Sequence, residues 1–239
     1  MPGGISRDEA WTLLCEWTES DSLRRHMLAV EGSMRAYARH FGEDEEIWGV
    51  TGLLHDLDYE RFSSLKDGHP RIAMAELRQR GVADEIIRAI GSHADEMGLS
   101  RDSTMERALY AVDELSGFVV ACAYVRPEGL AGMTPKSVKK KMKTASFAAA
   151  VDRDQLRRGA EELGVEFDAH VAFTIAALQP HADVLLARDA APDAAPATGA
   201  APDAAPATGA AADAAPAAGA APDAPSVAAD DPPAPDPQR

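Results

Sequence analysis

The residues best placed to do chemistry stand next to each other. In the stretch TGLLHDLDYERF, Thr51 to Phe62, the pair His55 and Asp56 follows the apolar Leu53 and Leu54. An imidazole and a carboxylate therefore sit where a core is expected. A buried carboxylate without a partner is costly, so such groups are normally paired or bound to a metal. Successive side chains on a helix diverge by about 100°, so a longer His and a shorter Asp can flank one cation from a single helix end. The same dipeptide also reads as an ordinary helix C-terminus, with His55 at the negative end of the dipole and Asp56 and Asp58 beginning a turn. Partners elsewhere in the chain decide between the two.

The elements that must supply those partners read as helices. Ser6 with Glu9 forms a capping box ahead of Trp11, Leu14 and Trp17. A second helix opens at Asp21, carries the stripe Leu23, Met27, Val30, Met34, Tyr37 and Phe41, and stops at Gly42. A third runs from about Asp44 to the His-Asp pair. A polar loop leads to His69 and Pro70, followed by helices from about Pro70 to Arg80 and from Asp84 to His93, with Gly81 between them. Ser103 and Glu106 cap a long sixth helix that Pro127 limits. Shorter helices are expected over 135–143, 154–163 and 167–178. No segment shows the period-two alternation of a half-buried strand. The expected fold is all-α, a single helical bundle over 1–188 with one core built mostly from the second to sixth helices.

Several polar side chains fall on the inward faces of these helices. His26 lies three residues after Leu23 and four before Val30, and Asp113 lies four after Leu109 and seven before Val120. His93 lies three after Ile90, while His69 stands where a loop enters a helix. Taken singly, His26 and His93 also read as hydrogen-bonded core histidines and His69 as a cap. Asp113 is harder to explain that way, because the amides of its own helix are already used and an inward carboxylate needs a cation or donors.

In order, His26, His55, Asp56, His69, His93 and Asp113, with GLLHDLDYE, GHP, SHAD at 92–95 and VDELSG at 112–117, resemble the HD-domain metal-dependent phosphohydrolase superfamily. The resemblance covers about residues 20–150, with the motif core at about 20–126, and is similar to a bacterial branch of uncharacterised HD proteins. It implies an HD-type helical bundle in which His26, His55, Asp56 and Asp113 hold one divalent ion. His69 and His93 would hold a second about 3.5–4 Å away, with Asp56 bridging. On that pattern Asp56, His69 and His93 are the expected catalytic residues. The mixed nitrogen and oxygen set does not choose among Mn, Fe, Co, Ni, Zn or Mg, one or two ions per chain. Hydrolysis of a phosphate ester or phosphoanhydride in a small phosphorylated metabolite or nucleotide follows. A dinuclear iron oxygenase and a non-catalytic nucleotide-binding regulatory module are the alternatives. The GYP signature of cyclic dinucleotide phosphodiesterases is missing from the sequence. Asp58 and Glu60 read as solvated turn residues in preference to groups that orient the ligands.

Charge and composition narrow the partners. The chain has 239 residues and a formal net charge of −15. From Asp189 onward there are 8 acidic residues and one basic, leaving the body with 31 acidic against 23 basic side chains. That balance argues against broad nucleic-acid binding. Against it stands KSVKKKMK at 136–143, where Lys136, Lys139, Lys140 and Lys143 pair off at i, i+4. This is either a solvated helix face or a local positive field that draws a phosphorylated substrate, and the four lysines are candidate substrate-binding residues. Cys15 and Cys122 form no disulfide framework. The first residues show no apolar signal region and the longest apolar run is too short to span a bilayer, so the expected location is cytoplasmic, with no membrane partner. Residues 189–239 repeat AAPDAAPATG with small changes. Lacking large apolar side chains and interrupted by prolines, they are expected to form a disordered acidic tail. Oligomeric state is not legible.

Overall fold

A computed structural model describes residues 4–187, and the expected disordered tail from Asp189 lies outside the described residues. The elements in chain order are α1 (Arg7–Trp17), α2 (Asp21–Phe41), α3 (Glu45–Leu54), α4 (Arg71–Gln79), α5 (Asp84–Ser92), α6 (Thr104–Tyr124), α7 (Pro135–Met142), α8 (Arg153–Leu163), α9 (Phe167–Leu178) and α10 (Ala182–Leu185). Single 3₁₀ turns cover Asp95–Met97 and Gln179–His181. The described residues contain no strand, as the helical periodicity requires.

The ends are set by local chemistry. Ser6 and Glu9 exchange the two hydrogen bonds of a capping box at α1, and Ser103 and Glu106 do the same at α6. Ser20 caps α2 through the backbone N–H of Leu23, and Gly42 ends it in the left-handed region at φ 74°. Thr134 caps α7, with Pro135 in the first helical position where its missing N–H costs nothing.

Packing places α6 at the centre. Of its 21 residues 13 are buried, so it needs cover on two faces. One face meets α2 and α3, where Val30, Met34, Tyr37, Trp48, Leu109 and Val112 close together. The other meets the C-terminal helices through Leu115, Phe118 and Val119 against Val138, Leu156, Val171 and Ile175. The expectation of one core carried mostly by the second to sixth helices is therefore too narrow, because α7, α8 and α9 each bury an apolar stripe on α6. A further cluster joins α1, α3, α4 and α5 through Leu14, Leu54, Leu77 and Ile86.

Two contacts fix the helices that carry the polar side chains. α3 crosses α2 so closely at Gly52 that an added Cβ would stand 3.0 Å from the Val30 carbonyl oxygen and 3.1 Å from the Glu31 nitrogen. Any larger residue there would force its neighbours to give way. On the other side, the Tyr37 hydroxyl donates to His170 Nδ1 at 2.6 Å while His170 Nε2 donates to the Ala111 carbonyl at 3.0 Å, tying α9 to α2 and α6. Burial lowers the His170 pKa and raises that of the Tyr37 phenol, keeping the imidazole neutral and the phenol a donor.

Candidate metal centre

Six side chains from separate elements converge beside α6. α3 stops at Leu54, so His55 becomes its C-cap and Asp56 opens the turns that follow. His26 comes from α2, Asp113 from α6, His93 from the C-cap of α5, and His69 from the position before Pro70, the N-cap of α4. His55, His69 and His93 are buried, while Asp56 and Asp113 each keep 13% side-chain exposure and His26 keeps 22%. The cluster is thus closed below and open on one side.

The Asp56 carboxylate divides the cluster. Its Oδ2 lies 3.8 Å from His26 Nε2 and 3.5 Å from His55 Nε2. Its Oδ1 lies 3.4 Å from His69 Nε2 and 3.5 Å from His93 Nε2. Asp113 Oδ1 completes the first group at 3.1 Å from His26 Nε2 and 3.2 Å from His55 Nε2. Two ligand groups therefore share one carboxylate, each on its own oxygen: His26, His55 and Asp56, and Asp56, His69 and His93.

The far side of each ring says which nitrogen is free. His55 Nδ1 lies 2.8 Å from the Gly52 carbonyl and His93 Nδ1 lies 2.5 Å from the Ile90 carbonyl. A carbonyl oxygen can only accept, so both Nδ1 atoms donate. His69 Nδ1 donates likewise to Asp58 Oδ1 at 2.7 Å. In the neutral rings every Nε2 then carries a lone pair aimed inward. His55 Nε2 is buried without a hydrogen-bond partner among the described residues, and His69 Nε2 and His93 Nε2 face each other at 3.2 Å. Facing lone pairs repel unless a positive charge lies nearby, and outward partners of this kind orient imidazoles that bind metals.

Electrostatics points the same way. Burial alone would lower the His55 pKa, yet the Asp56 and Asp113 carboxylates outweigh it and hold the imidazole well above its ordinary range. Burial likewise works against ionisation of Asp56 and Asp113, but the surrounding imidazoles, His55 foremost, hold both below the usual carboxylate range. The pocket calls for positive charge. Its residues fit divalent ions: an orphaned buried nitrogen, inward lone pairs and a shared carboxylate are what a mixed N/O site presents.

Other expectations are placed differently. Asp58, read as a solvated turn residue, is fully buried, accepting from His69 Nδ1 and, at 2.7 Å, from the Ala73 backbone N–H. The turn folds back onto α4, which turns a surface-looking acid into the support of His69. Glu60 is exposed and instead accepts from the backbone N–H groups of Glu19 and Ser20, at 2.5 and 3.0 Å. The lysines of α7 do not line the cleft over the cluster. α7 buries Val138 and Met142 and leaves Lys136, Lys140 and Lys143 exposed, while Lys139 Nζ pairs with Asp168 of α9 at 2.6 Å.

That cleft encloses about 660 Å³ and includes Tyr59, Leu65, Glu114, Asp152 and Arg158 besides the cluster. Burial, then the neighbouring Asp113 carboxylate, pushes the Glu114 carboxyl up to about 7. Sequence reasoning missed Glu114 and Arg158. Glu114 follows a candidate ligand directly, whereas nothing in the local sequence marks Arg158. A larger cleft of about 750 Å³, lined by residues such as Arg126, Leu130 and Leu186, contains none of these polar side chains.

Comparison with known proteins agrees with this geometry. Ribonuclease Y of Rhodopirellula baltica is 28% identical over 133 residues, which is 56% of this chain and 24% of the relative. The chain thus spans about a quarter of the curated relative it matches. No solved structure matches. The family model of the HD domain, whose superfamily is that of metal-dependent phosphohydrolases, matches residues 23–117, a span that contains all six converging side chains. The chain carries an HD domain over residues 23–117.

Proposed function

We propose that this chain is a metal-dependent hydrolase of a phosphate ester or phosphoanhydride in a small phosphorylated metabolite or nucleotide. The observation that carries the reading is the division of Asp56, one oxygen toward His26 and His55 and the other toward His69 and His93. His26, His55, Asp56 and Asp113 would hold one divalent ion, and Asp56, His69 and His93 a second. Divalent ions in such a pair supply Lewis acidity toward a phosphoryl oxygen and hydroxide near neutral pH. The chain's own part is to hold three imidazoles in the correct tautomer through Gly52, Ile90 and Asp58, to keep the floor of the site dry, and to leave one side open to substrate.

The substrate is read as small. Six carboxylates line the cleft, Asp56, Asp95, Glu96, Asp113, Glu114 and Asp152, against one guanidinium. Such a surface gives a polyanion little to hold. The relative's name concerns RNA cleavage, and a phosphodiester of that kind is the nearest competing substrate. The test is hydrolysis of p-nitrophenyl phosphate and bis(p-nitrophenyl) phosphate with Mn²⁺, Fe²⁺, Co²⁺, Ni²⁺, Zn²⁺ or Mg²⁺ added singly, in wild type and Asp56→Ala. Wild type should turn over at least one ester without dioxygen, and Asp56→Ala should lose turnover while keeping its helical circular dichroism. Activity that survives in Asp56→Ala would rule the mechanism out, and turnover that needs dioxygen would point to the oxygenase class.

A further inference from the structure

We infer that Arg158 binds a second anionic group of the substrate, so that the molecule this site takes carries one anionic group at the His/Asp cluster and another at the α8 wall of the cleft. This rests on the phosphoryl reading of the cluster.

Arg158 is the one Lys or Arg among the residues lining the cleft, whose other basic side chains are the imidazoles of the cluster. It comes from α8, beyond the span that matches the family model, and its hydrogen bonds and ion pair go to Tyr110 and Asp95, outside the six converging side chains. Its position is fixed: Nε donates to the Tyr110 hydroxyl at 2.9 Å and Nη2 donates to Asp95 Oδ2 at 3.0 Å. Those two bonds leave Nη1 with no hydrogen-bond partner among the described residues, on a side chain that is 45% exposed.

The charge of Asp95 does not account for Arg158. Asp95 Oδ1 already faces Arg101 Nη1 at 3.1 Å, and Arg101 is itself held by Glu162 and lies 3.6 Å over the Tyr110 ring. Asp95 therefore has a partly buried cationic partner without Arg158. A half-exposed ion pair adds little stability, whereas a guanidinium oriented by two neighbours with donors to spare is prepared for a carboxylate or phosphate. A volume of about 660 Å³ is that of a small-molecule site, far more than one phosphoryl group needs.

The test uses metal-loaded full-length protein and non-hydrolysable probes. Methylphosphonate carries one anionic group, and the ω-phosphonocarboxylates from phosphonoacetate to 6-phosphonohexanoate carry a second at increasing reach. Isothermal titration should show at least one member of the series binding wild type about tenfold or more tightly than methylphosphonate, as a charge-assisted bond implies. In Arg158→Gln that advantage should vanish, with methylphosphonate affinity, metal content and Tm unchanged. Arg158→Lys, which keeps the charge but loses the fork, should recover part of it. A series with no preferred member, or a preference that persists in Arg158→Gln, would overturn the inference while leaving the phosphoryl reading intact. Wild type that binds none of the phosphonates would overturn both.

Discussion

Asp56 and Asp58 are two residues apart and of the same type, yet they do different work. Asp56 faces four imidazole nitrogens, and Asp58 faces away from them, fully buried, holding His69 by its outer nitrogen. Such supports are worth about 10–100-fold in metal affinity. Asp58→Asn keeps the shape but can accept from only one of its two donors, His69 Nδ1 and the Ala73 N–H. Its metal affinity, measured by competition with a chelating dye, should fall by about tenfold or more; unchanged affinity would show that Asp58 only packs. Helical spacing marked His26, His93 and Asp113 as inward, and the His55-Asp56 pair stood out after two leucines, whereas His69, at a loop-helix junction, joined the set only through the resemblance to the HD family. The role of Asp58 was not legible, since its burial comes from a turn folding onto α4 and a string of polar turn residues looks the same whether or not it does so.

At the scale of elements, the site depends on how closely helices approach. The Gly52 crossing lets α3 lie against the α2 backbone, and the same Gly52 carbonyl fixes the His55 ring. Gly52→Ala places a methyl within 3.0 Å of the Val30 oxygen. Overpacking of this kind costs about 1–3 kcal/mol, which denaturant unfolding should register, together with weaker metal retention as His55 is pushed from His26. A fully stable variant with normal metal content would mean that the crossing has slack. Helix positions followed from periodicity and caps, but the share of each helix in the core did not. α6 is apolar on both faces, so its sequence does not say which neighbours cover it. α8 reads as RDQLRRGAEEL, mostly polar, although Leu156, Gly159 and Ala160 are buried. Its placement over α6 is what brings Arg158 into the cleft.

For the molecule as a whole, charge and geometry converge on one demand. The body is acidic, the cleft more so, and the acidic side chains gather around inward imidazole nitrogens, of which His55 Nε2 has no hydrogen-bond partner among the described residues. No helix of the described residues is long and apolar enough to cross a membrane. The basic stretch that composition singled out belongs to a solvent-facing helix, because clustering along the sequence does not fix which way a helix faces. We propose that the HD domain holds two divalent ions on a shared Asp56, a number that metal content per chain reads out. Inductively coupled plasma analysis of protein purified without chelator, or reloaded with Mn²⁺ and desalted, should find about two equivalents in wild type, as a paired site requires, and about one in His93→Ala. A wild-type ratio of one that His93→Ala leaves unchanged would contradict the paired site, and protein that retains no metal would contradict the account altogether.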